Sequence, residues 1–189
     1  MPTRFTITDL VAQANSTLAD NNTQQISPED VRLMFDNFLS TMKPAFASIR
    51  ITTPLVIALN TLTPVKIAPW NTVVAASPPE LVGSLPAGSV LKQVTTLGNT
   101  VASDLITFYI GVQGPSGNDL TFAVFANNIQ TDIIVRVSTT GAGNIITAVL
   151  TGLLTRTADT VYDVRVLTSN NNSYTFSNGV FRVENIPVA

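Results

Sequence analysis

Ile106-Thr107-Phe108-Tyr109-Ile110-Gly111-Val112-Gln113-Gly114-Pro115-Ser116-Gly117-Asn118-Asp119-Leu120-Thr121-Phe122-Ala123-Val124-Phe125-Ala126-Asn127-Asn128 is the stretch that decides the fold. Successive side chains of a strand point to opposite faces of a sheet. Ile106, Phe108, Ile110 and Val112 therefore share one face of a first strand, and Leu120, Phe122, Val124 and Ala126 share one face of a second. Gly114 to Asn118 and Asn127-Asn128 carry the residues that turn a chain between strands. Ile133, Val135 and Val137 continue the alternation in a third strand.

Downstream, Gly141-Ala142-Gly143-Asn144 introduces a long strand from Ile145 to about Thr155, and Val161–Leu167 and Tyr174–Ile186 follow. Ser169-Asn170-Asn171-Asn172 links the last two, and Asn178-Gly179 is either a tight hairpin or a bulge. Upstream, Leu55–Leu59, Pro64–Ala68 and Thr72–Ala76 read as short strands. Pro69, Pro78, Pro79 and Pro86 interrupt that region, as proline does at strand starts and sheet edges. Eight to ten strands with short turns and no intervening helix predict a mainly β fold, an antiparallel two-sheet sandwich over residues 51–189.

Residues 1–50 read differently. Residues 6–19 suit a helix, with Thr8 as its cap and Leu10, Val11, Ala14 and Leu18 at helical spacing. Ser27-Pro28-Glu29-Asp30 is a stronger helix start: a hydroxyl at the N-cap, proline in the first turn, and two carboxylates near the positive end of the dipole. Val31, Met34, Phe35, Phe38, Leu39 and Met42 then form an apolar stripe before Pro44 ends the helix. Two short helices cannot bury Phe35, Phe38 and Met42 between themselves. The stripe either folds back on the sandwich or packs on another chain, and its terminal position favours another chain. Val31, Met34, Phe35, Phe38 and Met42 are thus the expected attachment or oligomer-contact residues.

Composition limits the remaining functions. Charged residues are 12% of the chain, about half the usual share, and hydrophobic residues 45%. So few charges favour self-association. The ten basic residues are scattered singly in a chain of net charge −2, which argues against a nucleic-acid partner. No apolar run approaches the roughly 18 residues of a membrane span, and Met1-Pro2-Thr3-Arg4-Phe5 opens no signal peptide, so synthesis in the cytosol is expected. Asn15-Ser16-Thr17, Asn21-Asn22-Thr23 and Asn171-Asn172-Ser173 match the glycosylation sequon, but read more simply as an Asn- and Thr-rich surface.

No catalytic constellation is evident. The chain has neither Cys nor His, its carboxylates are spread out, and Gly141-Ala142-Gly143 is followed by a strand pattern where a phosphate loop needs a helix. Asp159 and Asp163 are the one pair whose position suggests a rim cation, although one precedes a strand and the other lies within it. No cofactor or metal is expected. Trp70, in Ala68-Pro69-Trp70-Asn71, is a candidate surface contact, with a rim residue covering the end of the sandwich as the simpler reading. Tyr162 and Tyr174 fall on strand faces where packing is the default.

Thr63-Pro64-Val65-Lys66-Ile67-Ala68, followed by Asn71-Thr72-Val73-Val74-Ala75-Ala76-Ser77, resembles the opening of a domain met in phage virion proteins. There the two strands lead into a small jelly roll of tumour-necrosis-factor-like topology that usually trimerises. Ile26-Ser27-Pro28-Glu29-Asp30-Val31-Arg32-Leu33-Met34-Phe35-Asp36-Asn37-Phe38-Leu39 resembles a helix of phage head-fibre and tail-fibre proteins. The aromatic-glycine segment frequent in such proteins is reduced here to Gly83 and Gly88. The resemblance implies a homotrimeric, non-enzymatic virion protein, and the short chain without a shaft favours capsid decoration (a cement or head-fibre protein). Its partners would then be copies of itself and the major capsid protein or another virion protein. The alternative is a tail-fibre tip reading a host surface glycan through loops 114–118, 141–144 and 169–173.

Overall fold

The computed structural model describes residues 12, 31–33, 35, 46–68, 70–77, 91–93, 102–141, 143–156 and 160–186. Residues 12, 31–33 and 35 are helical, within the two stretches expected to be helices. The rest of those stretches, with Met34, Phe38 and Met42, lies outside the described residues, as do Gly83, Gly88 and Asp159.

Eleven strands follow among the described residues: β1 (Phe46–Arg50), β2 (Leu55–Ala58), β3 (Val65–Lys66), β4 (Thr72–Ser77), β5 (Leu91–Gln93), β6 (Ala102–Gln113), β7 (Asp119–Ala126), β8 (Ile129–Ser138), β9 (Ile146–Arg156), β10 (Thr160–Thr168) and β11 (Ser173–Ile186). They form two antiparallel sheets. In the first, the order is β4-β1-β11-β6-β9, with β2 also on β11; in the second it is β3-β10-β7-β8, with β5 also on β10. The sandwich begins at Phe46, earlier than the expected boundary at residue 51, because β1 is an interior strand paired with both β11 and β4. Ala47, Ile49 and Ile51 alternate inward there, a run too short to stand out behind Pro44.

The alternating faces read from the sequence are the core. Ile106, Phe108, Ile110 and Val112 on β6 are fully buried, and they meet Leu120, Phe122 and Val124 of β7 between the sheets. Phe108 and Phe122 lie 5.7 Å apart between ring centroids, and Phe122 meets Phe176 edge-on at 6.3 Å. Each such side chain contributes about 1.5–3 kcal/mol on leaving water. Asn127-Asn128 makes the tight β7–β8 turn, both residues at positive φ (49° and 67°), a conformation asparagine tolerates. Asn178-Gly179 is a bulge: the β11–β6 register shifts between Ser177 and Val180, with Asn178 at φ 50°.

Two tyrosines tie the sheets together with polar bonds. Tyr162 Oη of β10 donates to the buried Asp104 carboxylate of β6 at 2.8 Å, and Asn185 Nδ2 donates to the same group at 3.2 Å. Near the opposite end, Tyr174 Oη and Thr168 Oγ1 share a hydrogen bond of 2.8 Å. The Tyr174 ring lies so close to Gly114 that a Cβ there would sit 2.3 Å from the ring edge, which explains the glycine.

Trp70 is not a surface contact. It is fully buried, against Phe108 edge-on at 6.5 Å and Phe181 at 6.1 Å. The segment leading into β4 turns its one large aromatic inward because the indole offers more apolar area to the core than any neighbour there. Its Nε1 finds no acceptor among the described residues.

Candidate functional site

The strand order fixes which side chains leave the outer face of the first sheet. Val180 of β11, Tyr109 of β6 and Val149 of β9 lie in one cross-strand row, and Glu184, Leu105 and Leu153 in another four residues along. Thr107, paired with Arg182 and Thr151, separates them. Tyr109 is 39% exposed, Val149 58% and Leu153 61%. Ile145 lies over Gly111 on the same face, where an added Cβ would meet its Cγ2 at 3.1 Å. Among the described residues, an ion pair stands on the β1 side of this face. Arg182 donates to Glu184 at 2.8 Å, and its guanidinium lies 5.5 Å from the Phe46 ring centroid.

The face continues around one edge of the sandwich. β8 and β9 are edge strands of their own sheets and approach each other there. Ile133 packs so tightly on Gly152 that a Cβ would fall 2.6 Å from its Cδ1. A cleft of about 350 Å³ remains, lined by Asp132, Ile134, Val149, Gly152 and Leu153 among others. Exposed Ile134 extends the apolar strip onto β8.

Of the residues singled out in the sequence, Val31 and Phe35 are described; both are exposed, as is Leu33 between them. Asp163 does not stand ready for a cation. It is buried, with Arg165 Nε at 2.7 Å and Lys66 Nζ at 3.1 Å on its oxygens. Lys66 and Arg165 are register partners on β3 and β10, a proximity that strand spacing alone does not reveal.

The three loops expected to read a ligand do converge. Gly117 N–H donates to Thr139 C=O at 2.8 Å, Thr139 N–H to Asn118 C=O at 2.9 Å, and Ser169 N–H to Asp119 C=O at 2.9 Å. Asn118, itself buried, accepts from Asn170 Nδ2 through its side-chain oxygen. The β2–β3 loop, missed from the sequence, joins them: Thr61 N–H donates to Asn171 Oδ1 at 2.9 Å, and Leu59 N–H to Asn172 C=O at 2.9 Å.

The architecture is a jelly roll of tumour-necrosis-factor type. The chain is similar to the solved structure of the Eiger TNF of S. frugiperda, with a TM-score of 0.53 at 9% identity over 78% of this chain and 96% of that one. It is also similar to murine APRIL, with a TM-score of 0.51 at 8% identity over 76% of this chain and all of that one. At such identities the likeness is one of fold. No family model and no curated protein matches the sequence.

Proposed function

We propose that the protein is a structural, non-enzymatic component of a bacteriophage virion: a homotrimer that decorates the capsid as a cement or head-fibre protein. The observation that carries the reading is the exposed apolar face of the first sheet, continuous with the β8–β9 edge. Tyr109, Val149 and Leu153 there are left for another molecule to cover. A contact between unlike surfaces, repeated from copy to copy, closes into a ring where the rotation allows it. The tumour-necrosis-factor-like jelly roll supports three copies, and the Ile26–Leu39 motif supports the phage assignment.

In this reading the helical segment holds the particle. Val31, Met34, Phe35, Phe38 and Met42 supply its apolar side, and exposed Val31 and Phe35 support that role. The major capsid protein or another virion protein is the partner.

The test is occupancy on particles. Phe35→Ala with Phe38→Ala is expected to abolish cosedimentation with purified capsids while the circular dichroism of the sandwich stays unchanged. Wild-type occupancy of the double variant would refute attachment through this helix. Gold-labelled antibody spread over the head is expected on intact virions. Label confined to a tail end would replace the decoration role with that of a tail-fibre tip.

A further inference from the structure

The register of the first sheet draws one row straight across its outer face. Thr72 of β4, Arg50 of β1, Val180 of β11, Tyr109 of β6 and Val149 of β9 are successive cross-strand partners. Alternation along β1 sets Arg50 outward, since Ala47, Ile49 and Ile51 fill the core. The row ends at the β8–β9 cleft, which Val149 and Leu153 line together with Asp132 and Ile134 of β8. Arg50 and Asp132, at the two ends, are both exposed.

Each of them is a charge without a counter-charge. Among the described residues no ion pair and no side-chain hydrogen bond holds either one, whereas Arg182 on the same face has Glu184, and Lys66 and Arg165 share Asp163. Arg50 and Asp132 cannot meet within one chain. β1 and β9 are three strand spacings apart, roughly 14 Å, and Asp132 lies beyond β9 on an edge strand of the other sheet.

We infer that Arg50 of one copy pairs with Asp132 of the next, and that this ion pair sets the direction of a head-to-tail ring; the inference rests on the self-association proposed above for this face and names its contact residues. A face with an unpaired cation at one end and an unpaired anion at the other is complementary to its own copy in that direction, and opposes like charges in the reverse one. The cleft suits the arginine side chain as a whole. Its aliphatic stem lies along Val149, Leu153 and Ile134, and its guanidinium reaches the Asp132 carboxylate. Each copy gives one arginine and receives another, a contact between unlike surfaces that closes when the rotation allows it. Apolar Val180 and Tyr109, between the two ends, shield the pair from water and so strengthen it.

The test measures the full-length protein by light scattering over a range of concentrations. Arg50→Asp and Asp132→Arg each set like charges against one another, and each should raise the concentration needed for assembly at least about tenfold. The variant carrying both restores the pair in reversed order and should assemble as the wild type does, which a general loss of stability would not allow. Because the chain has no cysteine, Arg50→Cys with Asp132→Cys carries two thiols alone, and a short bismaleimide should link its copies into covalent trimers. Failure of the double reversal to restore assembly, or covalent dimers that go no further, would overturn the inference. A wild-type chain that stays monomeric would overturn the homotrimer and the pairing together, whereas a trimer indifferent to both single reversals overturns the pairing alone.

Discussion

The two sheets finish their outer faces in opposite ways. On the second sheet Phe125 points outward yet is only 6% exposed. The Arg165 guanidinium lies 4.2 Å from its ring centroid, held flat by two bonds to Asp163 and one to Asn128. Ala123 and Asp163 beside it are buried as well. On the first sheet Tyr109, Val149 and Leu153 have no such cover among the described residues and stand open among threonines. The second face is sealed around Phe125 by its own long polar side chains, with Ile129 and Ile134 left exposed on the edge strand β8, and the first is apolar where a neighbour would sit. An outward-facing aromatic residue is therefore no evidence of an interface until its cover has been counted.

That contrast is open to attack, beginning with what the faces share. Phe122→Ala removes a ring lying between the sheets, so it should cost about 3–5 kcal/mol, read by urea unfolding, and should loosen both faces together. Tyr109→Asp with Leu153→Asp places charges on the open face only. The expected result is a light-scattering mass that falls to that of a monomer, a loss of about 2 kcal/mol or more per contact, with the folded spectrum retained. A trimer that survives both charges would move the self-association surface off the first sheet.

Smaller effects sharpen the sealed face. Asp163→Ala leaves Arg165 and Lys66 without their shared carboxylate. Both cations are partly exposed, so water screens the loss, and about 1–2 kcal/mol of stability is expected by thermal unfolding. Arg165→Lys keeps the charge but loses the planar fork and its stacking on Phe125, for about 1 kcal/mol. Both variants should leave the oligomer mass untouched. A change of mass in either would make the second sheet a contact surface too and dissolve the distinction.

Much of this was legible in the linear chain. Period-two alternation marked β6, β7 and β8 and their buried faces, because a side chain that alternates with the backbone pleat needs no distant information. Turn chemistry placed the loops. β1 escaped because five residues behind a proline carry too little periodicity, and its interior place depends on β11, more than 130 residues away in the chain. Trp70 was misjudged for a related reason: flanking proline and asparagine describe a loop, while burial is set by the Phe108 and Phe181 rings that other strands bring to it.

The sequence by itself determined the class of fold, the inward faces of β6 and β7 and the turns between the later strands, since those follow from local spacing and backbone preference. Only the tertiary structure decided which outward residues are covered, which loops share a pole, and that Lys66 and Arg165 meet on one aspartate. Those facts depend on strand order and register, which pair residues far apart along the chain. The same apolar residue is then sealed on one sheet and left open on the other.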